Sequence, residues 1–269
     1  MDGERMPRKY YKYIYYRCLA IARRLLELIF PSGIKDIRDI PIIINNFNRL
    51  GYLRQLVSAL EKRGYRNIHI LDNCSSYPPL LEYYKSCNCN VIRLDKNLGA
   101  YSLWRSGVIR KFNKDYFVYT DPDVLPVEEC PDDFLDFFLK ALKDHPLASK
   151  VGFSLKIDDI PDFFAPKEKV LAHEKTFYRF LDEDEKLYYA PIDTTFALYR
   201  PRAQWKHANY NIEMYRAAWP YTARHLPWYL DSSNPDEETL YYLETANRTA
   251  TWIRKDKVLA GRGQIQPIK

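Results

Sequence analysis

Tyr116-Phe-Val-Tyr-Thr-Asp-Pro-Asp-Val-Leu-Pro126 is an apolar, β-branched and aromatic run that leads straight into two acids one residue apart. Period-2 geometry predicts a strand over residues 116–120, with Asp121 and Asp123 on one side of its end, roughly 6 to 7 Å apart at Cα, a separation that suits a shared divalent cation. Asp-Pro after a strand is also ordinary turn chemistry. The surrounding sequence has to separate the two readings.

Upstream, strand and helix patterns alternate. Residues 41–45 read as a buried strand, 50–63 as a helix (Leu53, Leu56, Val57, Leu60), and 67–72 as a second strand. A short helix over 80–86, a strand over 90–94 and a helix over 100–112 lead to the strand at 116–120. Right-handed crossovers through helices join parallel neighbours, so an α/β fold with a mostly parallel sheet follows. Ligands of such sheets sit beyond the carboxyl ends of the strands. Those ends are all polar: Asn45-Asn46-Phe47-Asn48-Arg49, Asp72-Asn73-Cys74-Ser75-Ser76, Asp95-Lys96-Asn97-Leu98-Gly99 and Asp121-Pro122-Asp123. Each alone is turn or cap chemistry. Four in register point to a polar ligand.

Asn97-x-Gly99 is either a left-handed turn or a helix start whose backbone N–H groups could cradle a phosphate. Neither G-x-x-x-x-G-K nor G-x-G-x-x-G is present, which argues against kinases, NTPases and nicotinamide enzymes.

The 269 residues, 46% of them hydrophobic, suffice for one large α/β domain with a C-terminal annex. The five cysteines are odd in number and lack zinc-site spacing, so reduced thiols are expected. Nothing near the N-terminus approaches the ~20 apolar residues of a membrane span, and a cytoplasmic protein is expected. Of the net charge of +6, much lies at the start of the chain, in Arg5, Arg8, Lys9, Lys12, Arg17, Arg23 and Arg24. Residues 8–30 also carry Tyr11, Ile14, Cys18, Ile21, Leu25 and Leu28 at steps of three or four. This basic amphipathic helix is either peripheral to an anionic membrane surface or packed on the domain with its basic face solvated.

Taken in order, Asn48-Arg49, Asp72-Asn-x-Ser75, Asn97-x-Gly99 and Asp121-x-Asp123 (a DXD motif) resemble the GT-A glycosyltransferases, and within them family 2. The resemblance covers roughly residues 39–126 and implies a Rossmann-like GT-A domain over 39–255, after a basic segment 1–38 and before a tail 256–269. Its nucleotide-binding half would be 39–126 and its acceptor half 127–255. By the resemblance, Asn45, Asn46, Asn48, Arg49 and Asp72 line the nucleoside pocket, with Asp72 facing the base, and Asn97, Gly99, Arg105 and Asp121 lie near the ribose or diphosphate. Two carboxylates facing a diphosphate would repel it by ~4 kcal/mol per charge pair at about 4 Å and an effective dielectric near 20. A bridging Mg²⁺ or Mn²⁺ makes the arrangement sensible.

Residues 190–201 look like the family's acceptor-side strand, and Asp236-Glu237-Glu238 stands where many members have Glu-Asp at a helix start. The departure leaves Glu238, Glu237 and Asp193 as candidate bases; a helix-dipole role for the glutamates is the plainer alternative. In several GT-A enzymes a late histidine completes the metal shell, and His225 is the candidate here. Asp193, Thr194 and Trp228 are candidate acceptor contacts among clustered aromatics that include Trp205 and Tyr210.

The resemblance thus implies a metal-dependent inverting transferase that moves a sugar from a nucleotide sugar, UDP-sugar favoured, to a glycan or lipid-linked glycan, at the inner face of a membrane if the N-terminal helix binds one. A bacterial surface polysaccharide pathway fits. A sugar nucleotidyltransferase is the competing enzyme class, but its Gly-rich N-terminal loop is absent. A basic nucleic-acid-binding protein is the non-enzymatic alternative, without a recognised motif to support it; no nucleic-acid partner is expected.

Overall fold

A computed structural model describes residues 8–203, 212–231 and 233–246. Trp205, Tyr210, the tail 256–269 and the expected domain end at 255 lie outside the described residues. The first four strands, β1 (Ile42–Asn46), β2 (Ile68–Asp72), β3 (Asn90–Arg93) and β4 (Phe117–Thr120), are mutually parallel in the order β3-β2-β1-β4. Past β4 the sheet continues through β9 (Ala197–Tyr199), β6 (Lys150–Leu155), β10 (Met214–His225), β8 (Leu187–Tyr189) and β7 (Leu181–Asp182). There β9 is antiparallel to both neighbours, and β10 is parallel to β6. A short β5 (Val124–Pro126) pairs antiparallel with the end of β10.

β1 is buried along its whole length, as a central parallel strand must be. Its alternation splits the core. Ile42 and Ile44 face the layer of α2 (Gly51–Lys62), where Leu53, Leu56 and Leu60 are all 0% exposed, while Ile43 faces Leu103, Phe117 and Tyr119 on the other side. α3 (Pro78–Ser86) and α5 (Phe134–Asp144) complete the first layer through Leu80, Phe134 and Phe138. The close approach of β6 to β9 requires Gly152, where a Cβ would lie 2.3 Å from the Phe196 carbonyl.

The helix expected over residues 100–112 is not continuous. A 3-10 turn at Gly99–Tyr101 and the single turn α4 (Ser102–Arg105) are cut off from a 3-10 turn at Val108–Lys111 by Gly107, whose φ of +77° is left-handed. Its apolar spacing is helical, but a left-handed glycine ends a helix. Similarly, only Ala197–Tyr199 of the expected strand over 190–201 is extended, because the segment before it turns to meet Asp121. α6 (Lys167–Glu174) follows β6, and α7 (Glu237–Thr245) returns to the loop after β1, where Asn48 donates to Thr245 and Arg49 to Thr239.

α1 (Arg8–Ile29) is docked opposite to what its apolar stripe suggests. Tyr11, Ile14, Ile21, Leu25 and Leu28 are 42–64% exposed, and Cys18 is exposed too. The inward face carries Arg23 and Glu27. Arg23 donates to the Leu147 and Ala148 carbonyls at 2.9 Å, and Glu27 accepts at 2.8 Å from Arg200, which is 0% exposed. The helix is therefore held by buried polar contacts, and the reading in which its apolar stripe packs on the domain is corrected. No helix among the described residues is long and apolar enough to cross a membrane.

Two stability predictions follow from these buried charges. Glu27→Ala strips Arg200 of its buried counter-charge and should lower the urea-unfolding free energy by about 3–5 kcal/mol, while Arg24→Ala, at the half-exposed edge of the same cluster, should cost about 1 kcal/mol or less. Lys150, 1% exposed, donates to the Asp193 carbonyl at 3.0 Å and to the Tyr199 hydroxyl at 2.9 Å, and burial pulls its ammonium from 10.5 down to about 7. A lowered lysine means that the unfolded chain binds more protons above the folded value, so stability should rise with pH. Between pH ~7 and ~8.5, below the ordinary titration of thiols and tyrosines, the gain should be on the order of 1–2 kcal/mol and should vanish in Lys150→Met. A flat wild-type profile in pH-dependent urea melts would refute the assignment.

Candidate active site

Parallel strands bring the carboxyl ends of β1, β2, β3 and β4 to one edge of the sheet, and the ends of β6 and β10 extend it. Asn45, Asp72, Arg93, Asp121 and His225 all sit on that edge. Asp121 is the most tightly held. Its backbone N–H donates to the Thr194 carbonyl at 3.2 Å, its Oδ2 accepts from the Thr194 hydroxyl, and its Oδ1 faces Asn45 Nδ2 at 3.5 Å. Asn45 is oriented in turn by Ser102, whose hydroxyl donates to Asn45 Oδ1 at 2.6 Å.

Burial first, then the charges of Asp123 and Asp193, push the Asp121 carboxyl well above the usual range, against the hydrogen bonds of Thr194 and Asn45. Three carboxylates therefore crowd one mouth. The nearest partner to Asp123 is His225, with Nε2 3.6 Å from Asp123 Oδ2. These residues, about a hundred apart in sequence, meet because β5 and β10 form a three-residue ladder that sets His225 opposite Val124, and because Leu226 N–H donates to the Asp123 carbonyl at 2.8 Å. Asp123 Oδ1 and His225 Nδ1 are buried without a hydrogen-bond partner. Buried polar atoms are rarely left so, and each calls for a reason.

Among the described residues no three His, Cys, Asp or Glu side chains are grouped so as to hold a metal ion by themselves. That is compatible with Mg²⁺ or Mn²⁺, which bind through one or two carboxylates and leave the other positions to water and substrate phosphate. Asp121, Asp123 and His225 have the donor chemistry for such an open site.

Several other expected contacts have different jobs. The Asp72 side chain is 0% exposed and accepts from Ser75 N–H, Tyr84 hydroxyl and Arg93 Nε, so it shapes the pocket wall and has no open edge for a base. Asn46 donates to that same Tyr84 hydroxyl at 3.0 Å. Asn48, fully buried at φ +50°, accepts from Ser76 and Tyr77 N–H and donates to Thr245, stitching the first loop to the second and to α7. Arg49, 5% exposed, is clamped with its guanidinium 3.9 Å from the Tyr242 ring centre and donates to Thr239. Around Gly99 (φ +73°), the N–H groups of Leu98 and Gly99 are taken by the side-chain oxygens of Asn73 and Asn97. They are not open to a phosphate. Arg105 braces this turn by donating to the Leu98 carbonyl at 2.7 Å.

Glu238 Oε2 accepts from the N–H groups of Leu50 at 3.0 Å and Gly51 at 2.8 Å, capping the N-terminus of α2 from another helix. Its neighbour Glu237 is exposed in the first turn of α7, whose own cap is Asp236. The Thr194 hydroxyl, expected at the acceptor, donates to Asp121. Trp228, expected at the acceptor, is 1% exposed and packs with its ring centre 4.8 Å from that of His225, which supports the histidine. Asp193 is exposed at the mouth. Arg93, which the sequence reading missed, is a 53% exposed cation beside Asp72; its place at the end of a predicted strand was the available signal.

The profile described as Glycosyl transferase family 2 matches residues 42–207, well over half of the chain. No curated protein matches. Among solved structures, residues 1–349 of S. aureus TarS resemble the chain at 14% identity and a TM-score of 0.41, over 82% of this chain and 69% of that one, a likeness too slight to carry argument. The family match decides for sugar transfer over the sugar nucleotidyltransferase and nucleic-acid-binding alternatives, and agrees with the parallel sheet and its polar carboxyl edge. The chain belongs to glycosyltransferase family 2 and is a glycosyltransferase of GT-A fold.

Proposed function

We propose that this glycosyltransferase is metal-dependent and inverting, and takes its sugar from a nucleotide sugar, UDP-sugar favoured, for a glycan or lipid-linked glycan acceptor, as in bacterial surface polysaccharide synthesis. One observation carries the metal: His225 Nε2 lies 3.6 Å from Asp123 Oδ2 beside an Asp121 already crowded by like charge, and each of the two side chains keeps a further buried atom, Nδ1 and Oδ1, without a partner. Asp121, Asp123 and His225 would hold Mg²⁺ or Mn²⁺, the imidazole favouring Mn²⁺. When bound, the ion supplies Lewis-acid stabilisation of charge on the departing diphosphate.

The chain's own residues supply the rest. Thr194 and Asn45 fix the Asp121 carboxylate, so little reorganisation is needed as charge develops. Arg93 presents a cation at the donor side of the mouth. Inversion needs a base on the face opposite the leaving group. Asp193 takes that role in this reading, because it is exposed beside Asp121 at the mouth. Lys150 holds the Asp193 main chain from below.

A thermal-shift panel of UDP-, GDP-, CMP- and dTDP-sugars with and without Mn²⁺ tests donor and metal together. Stabilisation should require both Mn²⁺ and one nucleotide. Asp123→Asn should abolish that shift with the fold intact, and His225→Ala should move the metal-dependence curve to at least tenfold higher Mn²⁺. Asp193→Asn should keep the shift and lose at least 100-fold in turnover. A donor shift indifferent to Mn²⁺ sinks the metal assignment, and full turnover in Asp193→Asn removes it as the base.

The acceptor is reached from an anionic membrane surface through residues 8–30. The outward sector of α1 is free of charge over about 140° at 100° per residue, wider than a coiled-coil seam, and no Asp or Glu occurs from residue 8 to 26. Arg17 and Arg24 lie along one side of it, partly exposed. Pelleting with anionic vesicles should fall at least tenfold in the Ile21→Glu/Leu25→Glu double variant, and wild type should ignore neutral vesicles. Equal pelleting of the two proteins rules out docking through this face.

A further inference from the structure

A cleft of about 240 Å³ lies between α1 and the body of the domain, far from the catalytic mouth. Its lining residues place it. Ser149 precedes β6, Glu213 precedes β10, Tyr189 ends the antiparallel β8, and Arg202 follows the antiparallel β9. All four are at the sheet edge opposite Asp121. The walls are aliphatic and aromatic, with Tyr16, Leu19 and Ala20 from α1 facing Leu147, Tyr189 and Ile212.

The charges in the cleft do not balance. Arg17, Arg23 and Arg202 line it against one carboxylate, Glu213, which Arg17 meets at 3.7 Å. Arg23 is 8% exposed; its Nη2 serves the Leu147 and Ala148 carbonyls, but its Nε is buried without an acceptor. Nη1 of Arg202 is likewise buried and unsatisfied. Burial and the like charge of Arg200 draw the Arg23 guanidinium from 12.5 down to about 10, which marks how poorly compensated it is. Three guanidiniums against one carboxylate match an oxyanion, and the walls match hydrocarbon.

We propose that this cleft is a binding site for an anionic amphiphile, an acyl or prenyl chain that ends in a phosphate or carboxylate. The head would sit on Arg23 and Arg202, and the chain along Leu19, Ala20 and Leu147. Ile21, Leu25 and Leu28 of the outward face of α1 do not line it.

Calorimetric titration of the whole protein with decyl phosphate and decanoate below their micelle concentrations tests it, with inorganic phosphate and decyl maltoside as head-only and chain-only probes. One saturable site should appear for the anionic amphiphiles, at least tenfold tighter than for either control; the stronger of the two amphiphiles identifies the head group. Arg202→Gln should weaken it at least fivefold. Ala20→Phe should abolish it with sugar transfer unchanged, and Ile21→Glu on the outer face should leave it unaltered. Should Ala20→Phe fail to fold, a photoreactive decyl phosphate should label wild type within residues 13–26 or at Leu147. Equal affinity for decyl maltoside, wild-type binding in Arg202→Gln, or labelling elsewhere overturns the proposal.

Discussion

Like charge at the mouth is the constraint on which the catalytic half depends. At Asp121, lost solvation and the neighbouring charges of Asp123 and Asp193 both act against ionisation. Much of the surrounding architecture holds these groups in place despite that repulsion. Thr194 bonds Asp121 through both its hydroxyl and its carbonyl, Asn45 is fixed by Ser102, and the β5–β10 ladder pins His225 beside Asp123. Removing one of these restraints would let the carboxylates separate. The positions of β9 and β10 in the sheet are therefore part of the chemistry as well as of the core.

The sequence was most legible where hydrophobic period and burial coincide. β1 and α2 fall within one or two residues of their expected bounds because a fully buried strand and a one-faced helix leave little choice of register. The broken helix after residue 99 was illegible for a physical reason. Gly107 can continue a helix at a modest cost or end it at φ +77°, and the apolar spacing around it is the same in both cases. At the mouth, the polar strand ends located the site, yet most of those residues bind one another. Asn48, Asp72 and Asn97 use their oxygens on neighbouring N–H groups of the loops, and short polar side chains do that as readily as they bind a ligand. Composition cannot tell an Asn that builds a loop from one that contacts a donor.

α1 illustrates a related ambiguity. An apolar stripe says that one face of a helix leaves water, without saying what it meets. Here the domain takes the other face: Arg23 donates to the Leu147 and Ala148 carbonyls, and Arg200 donates to the Leu142, His145 and Ala148 carbonyls and to Glu27. A buried ion pair of this kind adds little stability over an apolar pair, but it is intolerant of a rotated helix, since a turn about the axis would strand two charges. It thus fixes which face of α1 looks outward. The apolar stripe is left outside as a consequence of that orientation.

The two edges of the sheet are therefore chemically distinct. Strands of four to six residues at about 3.3 Å each separate them by roughly 13–20 Å, with carboxylates at one edge and guanidiniums at the other. On the proposed docking through α1, the bilayer lies below the arginine edge and the mouth opens away from it. An acceptor short enough to lie flat on the membrane could not reach Asp193. One whose growing end projects beyond the thickness of the domain could, so the orientation fixed by Glu27 and Arg200 would act as a length filter on the acceptor without any contact to its sugars.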